Sequence, residues 1–214
     1  MPTRSASLLG AIAAFTLWCA VTSPLAAHPH VWITVQTTLL YDNGAFSGLR
    51  HKWSFDQYYT AMAIEGLDKN KDGKYDREEL AELAKVNIDG LKEFGYFTTA
   101  SLGGREIKLQ VPSDYWLEYE NGVLSLIFTL PFAEPVPPDA KGLTFAVQDP
   151  TFFIAFDLAK AEPAKLGPGA PAACKLKVGS TKQEGGALSD AFAKQFGALA
   201  GGGAQAISLD CQGP

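Results

Sequence analysis

The chain has 214 residues, with 18 basic against 23 acidic side chains, a formal net charge of −5. Its basic residues form no patch dense enough to hold nucleic acid. Its length allows one substantial domain, or one domain with a small appendage.

Arg4 is the only charge ahead of an apolar run from Leu8 to Val21, which leads through Pro24 to Leu25-Ala26-Ala27. A basic start, a short hydrophobic stretch and small residues at the end read as a secretory signal, residues 1–27, cut after Ala27 or alternatively after Ala26. The run is too short to cross a bilayer comfortably, and Trp18 is too bulky to precede a lipid-bearing Cys19. The expected product begins at His28, is exported, and has no membrane span. Cleavage removes Cys19 and leaves Cys174 and Cys211. An even pair in an oxidising compartment reads as a disulfide. The chain-entropy model gives such a loop roughly 3–4 kcal/mol of stability.

From His30 to Tyr41 the residues alternate and favour strand; Asp42-Asn43-Gly44 is a hairpin turn and Phe46 to Asp56 the returning strand. Val31, Ile33, Val35 and Leu39 must face the same side as Leu49, Trp53 and Phe55. Odd residues therefore pair with odd, which predicts a hairpin loop of three residues with a bulge. Helices are expected over Gln57 to Leu67 and Arg77 to Phe94, the second from the spacing of Leu80, Leu83, Ala84, Ile88 and Leu91. Strands follow at 96–102, 106–111, 115–119, 123–132, 143–148 and 152–157, with turns at Gly103-Gly104, Pro112-Ser113-Asp114 and Asn121-Gly122. Residues 28–160 make the β-rich domain and 161–173 a Pro/Gly/Ala-rich loop or linker. Residues 174–214 are a disulfide-tied segment with a strand from Cys174, a short helix from Ser189 and a last strand from Ile207.

Between the two helices lies Asp68-Lys69-Asn70-Lys71-Asp72-Gly73-Lys74-Tyr75-Asp76-Arg77-Glu78-Glu79, which fits D-x-[DN]-x-[DN]-G-x₅-E without mismatch. That is the loop of an EF-hand. Calcium is a hard ion that takes six to eight oxygens. Asp68, Asn70 and Asp72 offer side-chain oxygens, Lys74 its carbonyl, Asp76 an oxygen directly or through water, and Glu79 both carboxylate oxygens. Gly73 permits the sharp bend. No second loop of this kind occurs in the sequence, so the expected ion is a structural brace. The fold expected is α+β: an antiparallel sandwich-like body with an EF-hand helix pair inserted after the first hairpin and a short C-terminal helix.

The chain has three histidines. His28, once N-terminal, offers an amine and an imidazole to one ion, and His30 follows two residues on. The square-planar N-terminal copper site cannot form, because Pro29 has no N–H to lose. What remains is a nitrogen site suited to nickel, cobalt, zinc or copper. Asp56 comes opposite His30 or one step away. It reads as a third ligand, a partner fixing the His30 tautomer, or an N-cap of the first helix. His51 shares a face with Leu49 and Trp53 and reads as a core histidine.

His28-Pro29-His30-Val31-Trp32-Ile33 after a signal peptide, then Trp53-Ser54-Phe55-Asp56, then Asp149-Pro150-Thr151-Phe152-Phe153, resemble the bacterial periplasmic family known as domain of unknown function 1007. The resemblance covers nearly the whole mature chain. It implies a periplasmic component of an ABC-type transport system, partnered by an inner-membrane metal transporter, with metal handling by His28 and His30. The competing expectation is a calcium-braced domain that binds an envelope protein and has no transition-metal role. No enzyme is expected: Ser-His-Asp order, G-x-S-x-G and H-E-x-x-H are all missing.

Overall fold

The computed structural model describes residues 30–112, 114–151, 153–180 and 205–211. The first two strands, β1 (Val31–Asp42) and β2 (Ala45–Phe55), form the hairpin. Its turn has two residues, not three: Asp42 pairs with Ala45 across Asn43 and Gly44, both at positive φ. The odd-with-odd register holds deeper in the ladder, where Val35 faces Trp53 and Leu39 faces Leu49. A bulge between Phe46 and Gly48 supplies the extra residue. Glycine is required there, because a Cβ on Gly48 would lie 2.6 Å from the Leu130 carbonyl oxygen.

Helix α1 (Gln57–Ala63) follows at once, then α2 (Arg77–Leu91). A 3₁₀ turn over Lys92–Phe97 leads on, in which Gly95, Tyr96 and Phe97 all take positive φ. The remaining strands are β3 (Thr98–Leu102), β4 (Arg105–Glu106), β5 (Tyr115–Glu120), β6 (Val123–Val136), β7 (Leu143–Val147), β8 (Ile154–Leu158), β9 (Ala164–Leu166), β10 (Cys174–Ser180) and β11 (Gln205–Cys211). One sheet runs β5-β6-β2-β1-β8, with β9 also on β1; the other runs β10-β11-β7-β3-β4.

The expected α+β class is corrected. The described chain is mostly β, in two sheets, and its two α-helices do not form an EF-hand pair. The entering helix, expected to reach Leu67, stops at Ala63, short of Asp68. Ile64 caps it, and Gly66 at φ 75° turns the chain out of helical geometry. Nor is the body wholly antiparallel, since β8 and β9 run parallel to β1. The expected helix from Ser189 lies outside the described residues. The stretch 161–173, read as loop or linker, contains β9.

Two clusters make up the core. Ile33, Val35, Trp53, Leu117 and Leu126 from the first sheet pack with Leu80, Ala84 and Ile88 of α2 and with Tyr96 and Phe97. Leu39, Phe46, Leu49 and Phe132 pack with Ala100, Leu143, Phe145, Ile207 and Leu209 of the second sheet. The inner face of the first sheet is thus covered by helices at one end and by the second sheet at the other. Cys174 and Cys211 are joined, as cross-strand neighbours on β10 and β11. Unfolding without reductant is therefore expected to release no titratable thiol from residues 28–214; two free thiols would contradict the bridge.

Candidate functional site

The acidic loop is built from short side-chain-to-backbone hydrogen bonds. The Asp72 N–H donates to Asn70 Oδ1 at 2.8 Å and to Asp68 Oδ1 at 3.2 Å, and the Gly73 N–H to Asp68 Oδ2 at 3.1 Å. Asp72 Oδ1 in turn accepts the Lys74 N–H at 2.8 Å. These bends need Lys71 at φ 61° and Gly73 at φ 78°. Asp76 caps α2 by accepting the Glu78 and Glu79 N–H groups, each at 2.9 Å.

Glu79 closes the loop. It is 8% exposed. One of its oxygens accepts the Asp76 N–H at 3.2 Å, completing a capping box. The other accepts the Lys69 and Asn70 N–H groups at 2.8 and 3.3 Å, which ties the start of the loop to α2. Lys69, Lys71, Lys74 and Arg77 are all exposed.

Among the described residues, no three His, Cys, Asp or Glu side chains converge as a ready-made metal shell. The loop carboxylates face their own backbone N–H groups. The donor set is nevertheless all oxygen, a composition that suits a hard cation and not a thiophilic one.

The loop leans on strand β5. Tyr75 meets Tyr119 edge-on with ring centres 4.9 Å apart, and the Arg77 guanidinium lies 4.4 Å from the centre of the Trp116 ring. An open cleft of about 430 Å³ separates the loop from the β5–β6 turn, with Tyr119 and Asn121 on its far wall. Tyr75 stands where a paired loop would offer a side chain to its partner loop; here the sheet takes that place. Trp116, Tyr119 and Asn121 were absent from the sequence-based site. They sit some forty residues beyond the motif, and only the fold brings them to it.

Of the expected transition-metal ligands, His28 lies outside the described residues. His30 is exposed, and its ring makes no hydrogen bond among the described residues. Its N–H donates to the Phe153 carbonyl at 2.9 Å, and its ring lies 4.9 Å from that of Phe153.

Asp56 stands opposite Trp32. It gives its own N–H to the Trp32 carbonyl at 3.0 Å, and its Oδ2 accepts the Trp32 N–H at 2.9 Å. Its Oδ1 caps α1 through the N–H groups of Tyr58 and Tyr59, at 2.8 and 2.9 Å. Partial burial raises the carboxyl pKa, but these three N–H donors prevail and hold it below the ordinary value. The oxygen expected to face His30 is thus engaged by Trp32.

His51 is fully buried. Its Nδ1 lies 2.9 Å from Thr37 Oγ1 and its Nε2 3.4 Å from Thr98 Oγ1. Thr98 already donates to the Tyr96 carbonyl. Nε2 must therefore be the ring donor, while Nδ1 accepts from Thr37. Burial pushes the imidazole pKa down to about 3. It is a core side chain, remote in chemistry from ligand duty.

Residues 13–200 match the family model described as protein of unknown function (DUF1007). An uncharacterized protein of Haemophilus influenzae is 27% identical over 134 residues, covering 62% of this chain and 64% of its own length. The chain thus spans somewhat less than two thirds of that relative. An uncharacterized 15.5 kDa protein encoded in the trpE 3' region of Spirochaeta aurantia is 33% identical over 100 residues, covering 46% of this chain and 70% of its own. No described helix is long and apolar enough to cross a membrane. The match to the family model covers most of the sequence, and the chain belongs to the DUF1007 family.

Proposed function

We propose that this is an exported, periplasmic calcium-binding protein in which the ion braces the loop 68–79 against the first sheet. The observation that supports it is the loop itself: Asp68, Asn70, Asp72, Asp76 and Glu79 bring only oxygen donors to one tight turn, and Lys74 adds a carbonyl. Calcium, when bound, would supply a positive centre that could draw the four loop carboxylates from their backbone N–H partners into one shell. Titration calorimetry on chelator-stripped protein tests this, with magnesium as the control. Calcium binding at one site, weakened in an Asp68→Asn variant, is the expected result. No heat and no shift in melting temperature with calcium would end the reading.

A second role, as the metal-binding accessory of a nickel, cobalt, zinc or copper transporter in the inner membrane, is favoured by His30. Its imidazole makes no hydrogen bond among the described residues, and its backbone N–H is held by the Phe153 carbonyl at 2.9 Å. Natively processed protein is expected to bind Cu²⁺ or Zn²⁺ much more tightly than protein with one extra residue before His28. The extension keeps every side chain but removes the chelate of amine and ring. Both groups must lose protons to bind, so affinity falls below about pH 7. Equal binding by both forms would exclude the chelate. If neither form binds, the better account is a calcium-braced domain that meets an envelope partner through exposed Trp32, Tyr58, Met62 and Phe153.

A further inference from the structure

The first sheet ends at β8. This strand runs parallel to β1, with Phe156 beside Ile33 and Leu158 beside Val35. The Ala159 N–H donates to the Val35 carbonyl at 2.9 Å. Backbone groups alternate sides along a strand, so Ala155, Asp157 and Ala159 turn theirs to β1, and Phe156 and Leu158 turn theirs away. No strand lies on that side among the described residues, and the outward N–H and carbonyl groups of Phe156 and Leu158 take no partner there.

The other sheet edges are guarded. β10 carries exposed Lys175 and Lys177, and β4 is two charged residues long. Tyr75 reaches Tyr119 and Arg77 reaches Trp116, on opposite faces of β5, so the acidic loop crosses that edge. Charge, shortness and cover all block the addition of a foreign strand. β8, Ile154-Ala155-Phe156-Asp157-Leu158, has one charge, no lysine and no proline. Its apolar side chains are only half buried, although they belong to the core. The Phe156 ring lies 4.8 Å from that of Trp53 and 5.5 Å from that of Phe97. Phe97 stacks in turn on Phe94 at 5.2 Å, and Phe94 is exposed. A row of rings thus leads from beneath the open edge to the surface.

We infer that β8 is a docking edge for an extended segment of a partner protein, which joins the first sheet as a further strand. This rests on the account of the chain as a partner-binding domain, names how the partner is held, and needs no metal. Main-chain bonds to Phe156 and Leu158 supply affinity, and alternate side chains supply specificity. One face of the added strand lies over Phe156 and requires apolar residues. The other lies beside Asp157, exposed and the only charge on β8, and favours a basic residue. A second copy fits less well. Pairing two β8 strands about a two-fold axis at Phe156 or Asp157 sets the two Asp157 carboxylates diagonal or opposite, like against like.

The experiment uses natively processed protein and, as probe, a capped octapeptide that alternates valine with lysine and threonine. Its control is the same peptide with N-methylated amides, which keeps every side chain and removes the backbone donors. In the free protein the Phe156 and Leu158 amides are expected to exchange fast, and those of Asp157 and Ala159 slowly. The peptide is expected to slow the first pair and to bind about tenfold or more above its control. Leu158→Pro removes an outward N–H and none that β1 uses, so about tenfold weaker binding is expected with the fold kept by circular dichroism. Asp157→Lys, at an exposed position, is expected to weaken binding too, since it sets lysine against lysine.

Slow exchange of Phe156 and Leu158 in the free protein would mean that the chain covers its own edge, and would overturn the inference. So would a peptide that does not bind, or one that binds no better than its control. Equal binding of both peptides leaves exposed aromatic side chains as the contact, and the partner-binding account then survives without the strand. If Leu158→Pro does not fold, Asp157→Lys decides, and wild-type affinity there would overturn the inference. A dimer seen by light scattering and lost in Leu158→Pro would give the edge to a second copy instead.

Discussion

Glu79→Gln is expected to abolish the rise in melting temperature that calcium produces, and to lower the baseline stability as well. Two effects add. An ion present at about 100 times its dissociation constant contributes about 2.7 kcal/mol. For a dissociation constant of about 0.1 mM, the tight end of the range of extracellular calcium modules, 10 mM calcium reaches that ratio. Glu79 is also the side chain that closes the loop, with one oxygen on Asp76 and the other on Lys69 and Asn70. Glutamine keeps one acceptor and turns donors toward the other, and a lost hydrogen bond to a charged group costs about 1.5–3 kcal/mol. Together about 4–6 kcal/mol separates variant from wild type in calcium, and only the second part in chelator. Paired melting curves in calcium and in chelator measure both parts. A variant whose melting temperature still rises with calcium as wild type does would remove Glu79 from the ion. A wild type indifferent to calcium would leave Glu79 as a helix cap and loop closure alone.

What the sequence made legible is local. Asn43-Gly44 and Asn121-Gly122 turn the chain where their dipeptides say, because few other pairs accept two successive residues at positive φ. The bend within 68–79 is local in the same way, with Lys71 and Gly73 at positive φ inside one continuous stretch. The α1 boundary was not legible. Residues 57–67 carry helix-forming side chains, but a helix this short owes its length to packing on the sheet, and Gly66 outweighs its pattern.

Sheet order was illegible too. Nothing near Ala164–Leu166 shows that those three residues run parallel to β1. The parity of the first hairpin came out right for the wrong reason. Facing side chains fix parity, but either a longer loop or a bulge can supply it. Asp149 shows the same limit in the candidate site. An Asp before Pro reads as a turn, and only the folded chain shows four donors converging on its carboxylate. Asp56 is the reverse case: just past β2 it caps α1, one of the roles its sequence allows, and backbone N–H groups claim both of its oxygens.

His51 is expected to make the fold acid-sensitive well above the range where carboxylates titrate. Its ring lies among Trp53, Phe128, Thr37 and Thr98, with no acidic side chain against it to stabilise a charge. Burial holds the folded pKa at about 3 against 6.5 in the unfolded chain. Between those values the unfolded chain binds one more proton than the folded one. Stability is therefore full above about pH 6.5 and falls as pH drops through the window, by about 1.4 kcal/mol per unit. The loss nears about 2.7 kcal/mol at pH 4.5 and about 5 kcal/mol at the lower limit. Asp56 and Glu118 add to it only further down. Their folded pKa values are depressed, so their contribution is present above the ordinary carboxylate range and disappears below it. Denaturant unfolding between pH 7.5 and 5 isolates the histidine. His51→Gln lowers stability at neutral pH, since it disturbs a filled core, but its profile over that range is expected to be nearly flat. A wild-type profile as flat as the variant's would mean that the imidazole finds water or a counter-charge in the folded protein, and that the buried pair with Thr37 is not its resting state.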